Sequence, residues 1–199
     1  MTEKVLVYDI EIVKAIPDKR QPKIQGIEYC EGWGDLKGMG VSVICAYDYA
    51  EDRTRVFCKD NFDEFFILAK SSTVLVGFNN TAFDNGVLDH IAEMPPGLTR
   101  YYDILRELWV ASGLSPNFGG GSHTGFGLDD TSCANGLVPH WSGHRSLAAI
   151  QWQRGEVGTV IDYCLNDVLL TKQLLDKINL QASLTSPKDG SELKMPKVS

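Results

Sequence analysis

The amino-acid sequence predicts an α/β domain, a mixed sheet with helices over both faces. The earliest apolar run, residues 4–12 (KVLVYDIEI), is short and β-prone, and it precedes any helical pattern. Further strand-like runs at 41–49, 54–58 and 73–78 are then interleaved with helical segments. The last long segment, 156–181, carries an apolar stripe through Val160, Leu170, Leu174 and Leu175, which suits a helix. Strands first, then strands alternating with helices, is the order of an α/β fold.

Each element has its own signal. Residues 4–12 read as a buried strand. Residues 13–40, with Pro17, Pro22 and several glycines, read as a long loop or insertion. Runs 41–49 and 54–58 form a hairpin turned at Ala50–Arg53, and Asn61 to Lys70 is a short helix. Strand 73–78 is followed by a helix capped by Asn80 or Thr81, running to about Glu93 and ended by Pro95 and Pro96. Thr99 to Tyr102 is a short strand leading into a helix through about Ala111. Residues 113–126 read as a flexible glycine-rich loop. Its Gly119–Gly121 run is either a flap or a plain connector, since the phosphate-loop pattern G-x4-GK[ST] is absent. A helix near 128–135, a loop around Pro139–Gly143, a helix over 145–153 and the final helix Glu156–Gln181 complete the chain. The expected organisation is one domain over 1–185 and a disordered polar tail over 186–199.

Composition narrows the class. Hydrophobic residues make up 43% and charged residues 23%, as in a soluble globular protein. No run approaches the roughly 18 apolar residues of a membrane span, and the N-terminus lacks a signal-peptide pattern. A cytoplasmic location is expected, with no membrane partner. Five cysteines without a CxxC argue against a disulfide framework. Cys133, His140 and His144 suggest zinc but lack a fourth ligand, so loop or surface histidines are the preferred reading. Trp141 and Trp152 read as packing residues.

The chemistry lies in the acids. Asp9 and Glu11 sit two apart in an apolar strand, which puts both carboxylates on one face. A divalent cation would offset their repulsion; a strand end open to water would serve as well. Asp84 falls in the first turn of a helix, where the helix dipole favours an acid regardless of function. Tyr163 and Asp167 are four apart and share a helix face. Asp167 abuts Val168, Leu169 and Leu170, so it is either semi-buried with a partner or solvated on the polar face.

Taken together, DIE in the first strand, N-x3-FD after a strand and Y-x3-D in a late helix resemble the DEDD (DnaQ-like) 3′–5′ exonucleases. The wording is similar to proofreading domains of B-family DNA polymerases and to stand-alone bacterial and phage relatives. Residues 146–171 also look like the approach to the third motif in the stand-alone group. The resemblance spans about residues 4–178, more loosely over 13–40 and 113–145. Tyr163 places the chain with the tyrosine branch, since no histidine here lies five residues before an aspartate. Two positions depart from the pattern: Ile12 where many relatives have Thr, and Ala82 where many polymerases have Asn.

The resemblance implies a ribonuclease-H-like fold with a mixed five-stranded sheet. It implies metal-dependent hydrolysis of phosphodiester bonds from a 3′ end, in DNA replication or repair. Asp9, Glu11, Asp84 and Asp167 would hold two divalent cations, Mg²⁺ or Mn²⁺, and Tyr163 would orient the attacking water. Two such ions add four charges and take the formal charge from −7 to −3, easing contact with phosphates. Ile12 (through its backbone), Asn79 and Phe83 are the candidate substrate contacts, Phe83 being as readable as core. Lys14, Lys19, Arg20 and Lys23 either track a phosphate backbone or form a solvated loop, and Arg145 and Arg154 are equally open. The expected partner is a nucleic acid with a free 3′ end, DNA ahead of RNA, with single strands preferred. An exoribonuclease, or an inactive nucleic-acid-binding module of the same fold, is the alternative.

Overall fold

A computed structural model describes residues 3–95, 99–138 and 147–198. Its centre is a five-stranded sheet of β1 (Val5–Ile12), β2 (Val41–Asp48), β3 (Arg53–Phe57), β4 (Val74–Gly77) and β5 (Arg100–Asp103), in the order β3-β2-β1-β4-β5. β2 runs antiparallel to β1 and β3, whereas β4 and β5 run parallel to β1. The helices are α1 (Leu36–Met39), α2 (Phe62–Ser71), α3 (Asp84–Leu88), α4 (Ile104–Ala111), α5 (Leu128–Ala134), α6 (Ala148–Gln153) and α7 (Val157–Gln181). The α/β class with a mixed sheet and flanking helices is therefore as the sequence implies. Among the described residues, no helix is long and apolar enough to cross a membrane.

The two-residue period of β1 sorts its side chains between two cores. Leu6, Tyr8, Ile10 and Ile12 pack with Phe65 and Phe66 of α2, Val87 and Leu88 of α3 and Ile150 of α6. Val7 points the other way, with Val43, Cys45 and Val76, under Val160, Cys164 and Val168 of α7 and Leu108 of α4. The same alternation turns Asp9 and Glu11 towards α7.

Three segments differ from expectation. α3 stops at Leu88 rather than near Glu93 and starts after Phe83, with no side-chain cap. Asn80, the expected cap, is fully buried instead, and its Nδ2 donates to the Tyr8 hydroxyl at 3.1 Å. The glycine-rich stretch 113–126 is pinned rather than loose. His123 is buried, its Nε2 lies 3.0 Å from the Ser115 carbonyl, and Trp109 Nε1 donates to its carbonyl at 3.2 Å. Gly119 permits this packing, because a Cβ there would lie 2.9 Å from the His123 ring.

The tail is the third correction. Where disorder is expected over 186–199, the described residues up to 198 include a hairpin of β6 (Ser183–Thr185) and β7 (Glu192–Lys194). Leu184, Leu193, Met195 and Val198 are buried in the core beneath α7, and the Tyr102 hydroxyl donates to the Pro196 carbonyl at 2.8 Å. Glu192, Lys194 and Lys197 alternate with the apolar residues and take the solvent side, while Ser186 is buried. Leu193→Ala is expected to cost about 2–4 kcal/mol, as for other buried leucines, by urea unfolding; an unattached tail would show no change. Trp152 is half-buried beside the α7 core. The readings made for Pro96, Pro139–Gly143, His140, Trp141, His144 and Arg145, and with them the zinc set, fall outside the described residues.

Candidate active site

Strand lengths open the site. β1 pairs with β4 only over Val5–Val7, yet it pairs with β2 as far as Ile12. Beyond Val7, the β4 side of β1 therefore has no strand neighbour and borders a gap past the C-terminal ends of β4 and β5. Such edges are where α/β sheets place their clefts.

After Gly77 the chain reverses through Asn79, which has a left-handed φ of 71°. Asp103 holds that reversal. Its carboxylate accepts from the Asn79 amide at 2.8 Å, the Thr81 amide at 3.1 Å and the Thr81 hydroxyl at 2.5 Å. The same carboxylate caps α4 by accepting from the Leu105 amide at 3.1 Å. On the opposite side, Asn80 and Asn85 both hydrogen-bond the Tyr8 hydroxyl. Gly77 leaves room for this network, since a Cβ there would meet the Asn80 side chain at 2.6 Å. Asp103→Ala strips partners from two backbone amides and uncaps a helix. It is expected to cost about 2–4 kcal/mol in chemical unfolding, from a lost cap plus unsatisfied donors.

α7 crosses the β1 face carrying Asp9 and Glu11. Cys164 sits at the crossing, with Sγ 3.5 Å from the Asp9 carbonyl and 3.6 Å from Asp9 Oδ2. Burial raises its thiol pKa well above the ordinary value, and Cys45, Asp9 and Glu11 add to the rise. Tyr163 and Asp167, one turn apart, flank it on the cleft side.

The resulting cleft has a volume of about 810 Å³, and Asp9, Glu11, Asp84, Tyr163 and Asp167 line it together with Ile12, Asn79 and Phe83. The structure thus brings all eight sequence candidates to one place. Asp84, Tyr163 and Asp167 are buried, while Asp9 and Glu11 are half-buried. Phe83 is partly packed on the core and partly open to the cleft. Asp84 is under electrostatic stress. Burial pushes its carboxyl up to about 7, and the Asp103 and Asp167 carboxylates add to this, against the pull of the Asp84 and Ile10 amides. Oxygen donors of this kind suit a hard divalent cation. In their present positions, however, no three His, Cys, Asp or Glu side chains among the described residues are grouped to hold an ion. Mutual repulsion of like charges favours keeping them apart. The donor set fits such an ion in chemical kind, and side-chain rotation would have to complete the grouping.

Sequence reasoning missed several contributors. Asp103, directly before ILRELW, carried a readable N-cap signal. Trp33, Leu105, Gly127 and Ala149 also line the cleft, but they sit in no recognisable pattern. The four basic residues after β1 divide. Lys19 and Arg20 line the cleft, whereas Lys14 pairs with Glu28 at 3.5 Å and Lys23 lies 5.2 Å over the Tyr29 ring. Arg154 is exposed and away from the cleft lining.

No family model and no curated protein matches the chain. Among solved structures, it is similar to the family B DNA polymerase from the hyperthermophilic archaeon Pyrobaculum calidifontis. The TM-score is 0.53, with 17% sequence identity over 89% of this chain. The likeness is one of fold. It covers 25% of that polymerase, so the present chain spans about a quarter of its length.

Proposed function

We propose that the chain is a 3′–5′ exonuclease of the DEDD type, tyrosine branch, acting on DNA and preferring single strands. The observation that carries this reading is the convergence of Asp9, Glu11, Asp84, Tyr163 and Asp167, from three distant stretches, on one cleft. The sheet order and the polymerase likeness support a ribonuclease-H-like fold.

Asp9, Glu11, Asp84 and Asp167 would hold two divalent ions, Mg²⁺ or Mn²⁺. When bound, these supply an acidified water and electrostatic stabilisation of the departing 3′ oxygen. The residues of the chain do the rest. Asp9 and Glu11 present carboxylates from a rigid strand, and the turn held by Asp103 fixes Asp84 opposite them. Tyr163 orients the attacking water through its hydroxyl. Water adds to the terminal phosphorus and the bond to the 3′ oxygen breaks. That oxygen takes up a proton and stays on the shortened strand, and a nucleoside 5′-monophosphate leaves.

The test is a digestion series with 3′-blocked and 5′-blocked DNA and RNA, with and without Mn²⁺. Mononucleotides from DNA with a free 3′ end, only with Mn²⁺, are the expected result. Preferential loss of RNA would make the protein an exoribonuclease. No product from any strand, together with no Mn²⁺ binding by calorimetry, would leave a binding module.

A further inference from the structure

Residues 13–40 fold into a fixed wall of the cleft. Gln153 of α6 anchors the base of the segment, donating through Nε2 to the Val13 and Glu28 carbonyls at 2.9 and 3.0 Å and accepting from the Glu28 amide at 2.7 Å. Ala15 bridges to Tyr29. Its far end is a tight turn, closed by the Asp35 amide donating to the Gly32 carbonyl at 3.0 Å, with Trp33 at the tip. Asp35 also accepts from the Glu31 and Gly38 amides, each at 2.9 Å, and so starts α1. α1 leans on α3 so closely that a Cβ on Gly86 would meet Leu36 at 2.7 Å. These contacts hold the turn that carries Trp33, yet the residue stays 73% exposed and borders the cleft. Its ring meets Phe83 edge-on, with centroids 6.1 Å apart. Lys19 and Arg20 stand exposed on the same wall, and no ion pair between either side chain and an acid is found among the described residues.

An indole presented to water from a held turn forgoes a large burial term, so its position suits a flat partner that stacks on it. Cations lining the same cleft as such a ring, among many acids, suit phosphates one or two units along a chain. We propose that Trp33, backed by Phe83, stacks on an unpaired base, and that Lys19 and Arg20 hold the adjoining phosphates, so that the 13–40 wall selects single-stranded DNA. Lys14 faces Glu28 and Lys23 lies over the Tyr29 ring, and neither lines the cleft. This inference rests on the nuclease reading for its substrate class.

Binding is measured by anisotropy with a fluorescein-labelled, single-stranded phosphorothioate oligothymidylate in Mn²⁺. Trp33→Ala weakens Kd about tenfold or more, as expected for a lost base stack, and Trp33→Phe restores most of the affinity. The double variant Lys19→Ala/Arg20→Ala flattens the salt dependence by about 1.4 in slope, about 0.7 per phosphate, whereas Lys23→Ala leaves the slope unchanged. Thermal midpoints of Trp33→Ala and wild type coincide, since the ring is exposed. An unchanged Kd for Trp33→Ala, no binding by wild type, or equal affinity for a blunt duplex overturns the proposal. The p-nitrophenyl ester of thymidine 5′-monophosphate, which carries no adjoining nucleotide for Lys19 and Arg20 to hold, reports on the nuclease reading separately. If wild type leaves it intact while Trp33→Ala loses DNA affinity, the wall stands and the nuclease reading falls. If wild type cleaves it and all variants bind alike, the reverse holds.

Discussion

Asp9→Ala is expected to abolish release of mononucleotides while leaving a folded protein. Asp9 lies on a strand held on its other edge by pairing with Cys45, and it lines the cleft where that borders Cys164. Removing it relieves some repulsion among the cleft acids but gives up the Cys164 contact, so the protein should stay folded, with a thermal midpoint close to that of wild type. The expected loss of rate is about 10³-fold or more, because removal of even one preorganised electrostatic partner of a transition state costs about 10²–10³. Single-turnover digestion of a 5′-labelled strand in Mn²⁺ measures it. Asp18 supplies the control. It also lines the cleft, but its carboxylate accepts from the Arg20 amide at 2.8 Å and has no place in the proposed ion site. Asp18→Ala should change the rate by only a few-fold. Equal losses in the two variants would mean that the cleft needs negative charge in general, and wild-type activity in Asp9→Ala would end the assignment.

The contrast between Asp9 and Asp18 follows what the sequence could and could not disclose. Asp9 and Glu11 were legible because strand periodicity is local: two residues apart means one face, whatever the rest of the chain does. Tyr163 and Asp167 were legible for the same reason on a helix. The course of 13–40 was not, because its anchors are distant: Gln153 holds its base and Gly86 receives Leu36. No local pattern encodes those contacts, and Trp33 gains its meaning only from them. The tail shows the same limit. Leu193, Met195 and Val198 are too widely spread among polar residues to announce a strand, and they are buried only because α7 and β5 offer a surface. Asp84 was half legible. Its helix-start position could be read, but its depth depends on the left-handed Asn79 and on Asp103, from an element some twenty residues later.

That depth leads to the second large effect: Asp84→Asn should stabilise the ion-free protein and disable it. The Asp84 carboxyl titrates at about 7 in the folded chain against an ordinary 3.8, chiefly because burial disfavours its charge. The folded chain therefore binds this proton more tightly than the unfolded chain. The stability this confers is fully present below about pH 4 and is lost as pH rises through about 7, where the fold must carry a buried anion. A shift of about three units sets a ceiling of about 4 kcal/mol at 1.36 kcal/mol per unit. The replacement amide must find its own hydrogen bonds, so a gain of about 1–3 kcal/mol at pH 8 is expected, several degrees in thermal midpoint for a chain of this size. In EDTA, wild type should melt higher at pH 5.5 than at pH 8, and Asp84→Asn should flatten that difference. Adding Mn²⁺ at pH 8 should raise the wild-type midpoint, because an ion bound only by the folded state stabilises it by mass action, and should do much less for the variant. A residue whose buried charge costs the fold stability is then one whose charge the proposed chemistry requires. A variant no more stable than wild type at pH 8, with an undiminished Mn²⁺ response, would show that Asp84 is neither stressed by its burial nor part of an ion site.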